Sequence, residues 1–185
     1  MTARRPRHGT TARGKTILYL PLSGRGREHP CMQIKIRRAC AEDLKHILHH
    51  RVAMFEEMGF REAAVLGQVE AASRKYFAEA LWAQTYLGWI AEDSGGQVVG
   101  GGGIVVAAWP GFPGENQTKR AWILNMYTEP RVRRRGVARE LMKAMTEWCR
   151  SEGYGSVSLH ASEVGRPLYE SMGFQPTNEM RLELG

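Results

Sequence analysis

Cysteine is scarce in this chain, and long apolar runs are missing. The 185 residues hold three cysteines, Cys31, Cys40 and Cys149. The number is odd and no C-x-x-C pair occurs, which argues against a disulfide framework and for free thiols in a reducing, cytoplasmic setting. No apolar stretch approaches the roughly 20 residues needed to cross a bilayer, so no membrane partner is expected. Ile17 to Leu22 is apolar but interrupted by Pro21, and it is too short for the apolar region of a signal peptide. Acidic residues are almost absent from one end. Residues 1–31 carry seven Lys/Arg and a single acid, Glu28, while the rest has 19 basic and 18 acidic side chains. The formal charge of +7 therefore sits mostly outside the folded part, and a nucleic-acid partner is not expected for the fold. A zinc signature is missing too. His46 and His50 stand four apart, but Ile47 occupies the Glu place of H-E-x-x-H and no third ligand is evident. A solvated helix face, and no metal, is the expectation.

What is present fits one domain with a single sizeable core: 43% of residues are hydrophobic, ordinary for a globular protein. Residues 1–31, rich in Arg, Gly, Thr and Pro without a period, read as a basic, disordered arm that folding does not need. The domain spans 32–185, and Met32 is a candidate alternative start. Gln33 to Arg37 alternates as a half-buried strand does. Leu44, Ile47, Leu48, Phe55 and Met58 recur at helical spacing, and Leu66, Val69, Tyr76, Phe77, Ala80 and Leu81 form a second stripe. Two strands, Tyr86 to Glu92 and Val98 to Ala108, flank the turn 93–96. Gly100 to Gly103 inside the second of them points to a bulge. Trp109 to Gly114 is a Pro/Gly loop whose Trp109 and Phe112 are candidate lid residues. A strand at 121–128, a helix at 137–152, a strand at 156–160, a short helix at 165–172 and a last strand near Met180 to Leu184 complete the pattern.

The informative stretch is Thr128-Glu-Pro-Arg-Val-Arg-Arg-Arg-Gly-Val-Ala138, a basic turn between a strand and an amphipathic helix. A helix start exposes unpaired N–H groups and a partial positive charge, and a small residue there lets an anion approach the backbone. Arginines add donors. The turn lacks the Gly-Lys-Ser/Thr ending of a Walker loop and the spacing of G-x-G-x-x-G. Its form, Arg133-x-x-Gly136-x-Ala138, resembles the pyrophosphate loop of the GNAT superfamily of N-acetyltransferases. Gly165-Arg-Pro-Leu-Tyr-Glu-Ser-Met-Gly-Phe174 is similar to the Leu-Tyr-x-x-x-Gly-Phe segment that closes those domains, and the two blocks stand in the family's order.

The resemblance implies an α/β (α+β) fold with a mixed, mostly antiparallel central sheet flanked by helices. It implies an acetyl-CoA cleft between a splayed pair of strands. Met126 and Thr128 would offer backbone groups to pantetheine. Arg133, Arg134, Arg135, Gly136, Val137 and Ala138 would hold the pyrophosphate. Ser162 stands where the family often has a cofactor-contacting Asn. Tyr169 holds the place of the general-acid tyrosine, and a backbone N–H near Met126 would stabilise the oxyanion. The scheme transfers acetyl directly, with no metal and no covalent enzyme intermediate. The base is open between His160, Glu129 and Glu92. The acceptor would be a small-molecule amine or a peptide, and a homodimer is possible. The competing reading is an acyl-CoA-binding sensor or scaffold without turnover.

Overall fold

The computed structural model describes residues 33–111 and 117–184. The arm at 1–31, Met32 and Phe112 lie outside the described residues. The chain runs through β1 (Lys35–Arg38), a 3-10 turn (Ala41–Asp43), α1 (Leu44–Glu57), α2 (Ala63–Trp82), β2 (Tyr86–Glu92), β3 (Val98–Ala108) and β4 (Lys119–Thr128). A second 3-10 turn (Pro130–Val132), α3 (Val137–Ser151), β5 (Val157–Leu159) and α4 (Arg166–Glu170) follow. The five strands form one sheet in the order β1-β2-β3-β4-β5. Every neighbouring pair is antiparallel except β4 with β5, which is parallel. This is the mixed, mostly antiparallel sheet that the sequence resemblance implies.

Alternation along β4 decides how the layers meet. Ala121 and Ile123 join α3 in one core, where Val137, Leu141, Met142 and Met145 are all essentially inaccessible. Leu124 packs against the other core, built from Ile47 and Leu48 of α1, Phe77, Ala80 and Leu81 of α2, and Tyr86 of β2. Successive strand residues point to opposite faces, so the helices α1 and α2 cover one face and α3 the other. The entry into α1 is fixed electrostatically. Asp43, 4% exposed, accepts two hydrogen bonds from the Arg37 guanidinium at 2.7 and 2.8 Å and one from the Cys40 N–H at 2.9 Å. These donors hold its carboxyl well below the usual carboxylate range.

Four expectations need correction. The first strand begins at Lys35 rather than Gln33. Residues 180–184 form no strand: Met180, Leu182 and Leu184 are 94%, 81% and 88% exposed. Their alternation matches a strand, but a strand exists only with a hydrogen-bonding neighbour, and none lies alongside among the described residues. Tyr76, placed on the buried stripe of α2, is exposed, and Ser73 is buried in its stead. His50, read as part of a solvated face, is 1% exposed and stacks on Tyr127 with ring centroids 5.3 Å apart.

Candidate active site

The site begins with a defect in β4. Gly103 pairs with Leu124 and Gly101 with Tyr127, so Asn125 and Met126 together face the single residue Gly102. This is a β-bulge, as the glycine run in β3 suggested. Asn125 takes up the extra length in a left-handed conformation (φ 60°), which an asparagine tolerates better than most residues. It is buried, and its Nδ2 donates to the Ile47 carbonyl at 3.2 Å, which ties the bulge to α1. Its Oδ1 and the Tyr86 hydroxyl are buried without hydrogen-bond partners among the described residues. Sequence reasoning did not single out Asn125; an Asn in the middle of an apolar strand was the available signal.

The bulge coincides with a divergence of strands. β5 pairs with β4 only from Ala121↔Val157 to Ile123↔Leu159, whereas β4 continues to Thr128. Among the described residues the β5-facing edge of residues 124–128, Met126 included, has no strand partner, so the ladder between the two parallel strands stops there. A group carrying amide N–H and C=O can pair with such an edge. Just before the parting, Trp122 of β4 packs edge-on with His160, which follows β5, ring centroids 4.9 Å apart.

Beyond β4 the chain turns through Pro130–Val132 into the loop before α3. Arg134 (φ 61°) and Gly136 (φ 86°) are both left-handed, and Gly136 is the N-cap of α3. A side chain built on Gly136 would meet nothing within 4 Å. Its glycine character therefore answers the backbone angle and leaves open space above the first turn. Val137 is buried and anchors that turn, with Ala138 next to it. Arg134 and Arg135 are exposed. Arg133 is engaged elsewhere: its Nε donates to the Thr128 carbonyl at 2.9 Å, its guanidinium pairs with Glu57, and it lies over the Tyr127 ring. The donors left for an anion are the backbone of the loop, the free end of α3 and the two outer arginines.

Tyr169 lies on α4, against the core formed by α3 and the sheet. Its ring meets Phe174 edge-on with centroids 6.0 Å apart. Burial raises its phenol pKa, and its hydroxyl makes no hydrogen bond among the described residues. Ser162 precedes the same helix, its Oγ accepting from the N–H of the N-cap residue Gly165 at 3.2 Å. Arg139 ties α3 to the end of α4 through the Ser171 hydroxyl at 2.7 Å.

The three candidate bases separate. Glu92 ends β2, two strands from β4, bonded to Arg37 at 2.6 Å with Lys35 near its other oxygen, so its carboxylate is already engaged away from the β4–β5 edge. Glu129 follows β4 directly and pairs with His49 of α1 at 2.9 Å. His160, at the end of β5, pairs with Glu179 at 3.3 Å. Among the described residues no group of three or more His, Cys, Asp or Glu is arranged to hold a metal ion, and no helix is long and apolar enough to cross a membrane.

Known proteins share this fold. The Acetyltransferase (GNAT) family model matches residues 47–174. A GCN5-related N-acetyltransferase from Ralstonia eutropha superimposes with a TM-score of 0.76 at 36% identity, covering 82% of this chain and 99% of its own. A predicted acetyltransferase from Clostridium acetobutylicum, solved with acetyl-CoA, gives 0.74 at 26% identity, over 83% of this chain and 96% of its own. The human N-acetyltransferase 8 is 31% identical over 94 residues, which is 49% of this chain but only 39% of that protein. The match therefore spans well under half the length of this curated relative. By the extent of the family match and the near-complete overlap with the Ralstonia fold, the chain belongs to the GNAT acetyltransferase family.

Proposed function

We propose that the chain is an acetyl-CoA-dependent N-acetyltransferase that passes the acetyl group directly to a primary amine. The observation that carries this reading is the parting of β4 from β5 after Ile123 and Leu159, beside the bulge and leading to the open N-terminus of α3. Acetyl-CoA supplies an activated thioester. The unpaired edge around Met126 and Thr128 would hold the amides of its arm, and the backbone of Arg133–Ala138 its pyrophosphate, with Arg134 and Arg135 as added cations and the Ser162 hydroxyl able to donate to the cofactor.

The chain's own groups then divide the chemistry. The Met126 N–H, beside the bulge, would stabilise negative charge developing on the carbonyl oxygen. The amine nitrogen must lose a proton as it bonds to the carbonyl carbon, and Glu129 or His160 would accept it, directly or through water. As the carbon–sulfur bond breaks, the Tyr169 hydroxyl would protonate the departing thiolate. The phenol is protonated at neutral pH, as a donor must be, and a thiolate whose conjugate acid titrates at about 8.5 can take its proton as the bond to carbon breaks.

Thiol release from acetyl-CoA, followed with a panel of amines and peptides, tests the reading. We expect Tyr169→Phe to lower kcat by roughly 10²-fold, the lower range for general acid catalysis, with little change in the KM for acetyl-CoA. Saturable acetyl-CoA binding without turnover on any acceptor would favour a non-catalytic acyl-CoA-binding domain. Absence of binding would sink the cofactor assignment.

A further inference from the structure

On the face of the sheet covered by α1 and α2 there is a recess of about 350 Å³. Its walls are Ser73, Tyr76 and Phe77 of α2 with Val105 and Leu124 of the sheet, and Arg51 of α1 reaches into it. Leu124 immediately precedes the Asn125–Met126 bulge, so the recess adjoins the stretch of β4 where transfer is placed. Ser73 is 7% exposed and accepts a hydrogen bond from Arg51 Nε at 3.0 Å. The guanidinium lies 5.0 Å from the ring centre of Phe55 and 5.7 Å from that of Phe77. It forms no ion pair and no other hydrogen bond among the described residues. Arg37, Arg74, Arg131 and Arg133 each pair with a carboxylate; Arg51 does not. A partly buried cation is expected to have a counter-charge, because ring contacts replace only part of the hydration it loses.

We infer that Arg51 is a specificity residue that receives a carboxylate on the acceptor, so that the substrate class is a primary amine bearing a carboxylate on an apolar body. With Nε held by Ser73, both terminal nitrogens are free. They present the end-on fork that two carboxylate oxygens match. Phe77, Val105 and Leu124 offer apolar wall to the body of that molecule. A polycationic amine meets like charge in the same place. The inference rests on the acetyltransferase reading above, which leaves the acceptor open.

The test compares matched acceptors that differ only in charge, leucine against leucinamide and γ-aminobutyrate against γ-aminobutyramide, with spermidine as a polycation. In the wild type the carboxylate member of at least one pair should have a kcat/KM about tenfold or more higher, the effect of one charge-assisted hydrogen-bonded pair. Arg51→Gln should bring that ratio to about 1 through KM, leaving the KM for acetyl-CoA within about twofold. Arg51→Lys, which keeps the charge but not the fork, should give an intermediate ratio. It keeps the question answerable should the glutamine variant fail to fold. Equal use of both members by the wild type, or a ratio that survives in the variants, overturns the inference while leaving acetyl transfer standing. If no acceptor turns over, calorimetric titration of N-acetylleucine and N-acetylleucinamide into CoA-saturated protein decides it. Binding of the acid alone, lost in Arg51→Gln, supports the carboxylate site, and no such preference rejects it. Acetyl-CoA titrated in parallel reports on the cofactor reading separately.

Discussion

His50 shows how one buried residue can set the acid limit of a fold. It lies between α1 and the sheet, stacked on Tyr127 and close to the Gly101 backbone. Burial, with smaller contributions from His49 and His46, pushes its pKa down to about 4. Around it stand His46 and His49 on its own helix, with Tyr127 of β4 and, through His49, Glu129 just after that strand. In the unfolded chain the imidazole titrates near 6.5. Between these two values the unfolded state binds the additional proton. The stabilisation is complete above about pH 6.5 and is lost as the pH falls towards 4. Denaturant melts should therefore show the wild type losing about 2 kcal/mol between pH 7 and pH 5 through this one group. His50→Gln, whatever its stability at pH 7, should lose about that much less over the same interval. An identical pH dependence in both proteins would mean that His50 titrates alike in the folded and unfolded states. The same physics acts on Tyr169, whose phenol pKa is raised by burial: removal from water favours the neutral form of both groups.

At the scale of elements, the glycine run of β3 is dictated by what stands opposite. A side chain on Gly103 would lie 2.3 Å from the ring and hydroxyl of Tyr86, and one on Gly102 would lie 2.3 Å from the Met126 sulfur. Tyr86 is 1% exposed and packed on Phe77 at 4.6 Å, so its ring has little room to yield. Gly103→Ala should cost about 2–3 kcal/mol by overpacking. Tyr86→Leu should also destabilise by leaving a cavity, yet the pair together should fall short of the sum by about 1–2 kcal/mol, because the smaller side chain makes room for the new methyl. Strict additivity in a four-protein denaturation cycle would show that the alanine is accommodated some other way. This cluster also marks where the sequence was readable. The elements from β2 to α4 follow from periodicity, since strands and long amphipathic helices bury their apolar residues by local rule. The parting of β4 from β5 and the helix start at Gly136 were legible through the two motifs. What local pattern could not supply were facts about neighbours. His50 and Tyr76 exchange places between surface and interior because tertiary packing turns α1 and α2 about their axes. Met180 to Leu184 alternates without a strand beside it. Arg51 is set apart by the aromatic rings of Phe55 and Phe77 and the buried Ser73 around its guanidinium, contacts that no local pattern encodes.

For the whole molecule the decisive quantity is where charge resides relative to core. Both apolar clusters are made of residues between Ile34 and Phe174. The first 31 residues hold seven of the 26 Lys/Arg and one of the 19 Asp/Glu, so their removal lowers the formal charge from +7 to +1. Affinity for polyanions rises with the number of cations brought to the contact and falls steeply with salt. The full chain should therefore be retained on immobilised heparin at low ionic strength and released as salt rises. A variant beginning at Met32 should pass through nearly unretained. Folding energy depends on buried area rather than on solvated charge. We expect the shortened protein to keep its melting temperature within about 3 °C, together with the wild-type kcat/KM for acetyl-CoA. A shortened protein that melts much lower would mean that residues 1–31 bury surface of the domain. One that stays on heparin would place the polyanion site on the fold itself, where Arg134 and Arg135 at the start of α3 are the exposed cations to substitute next.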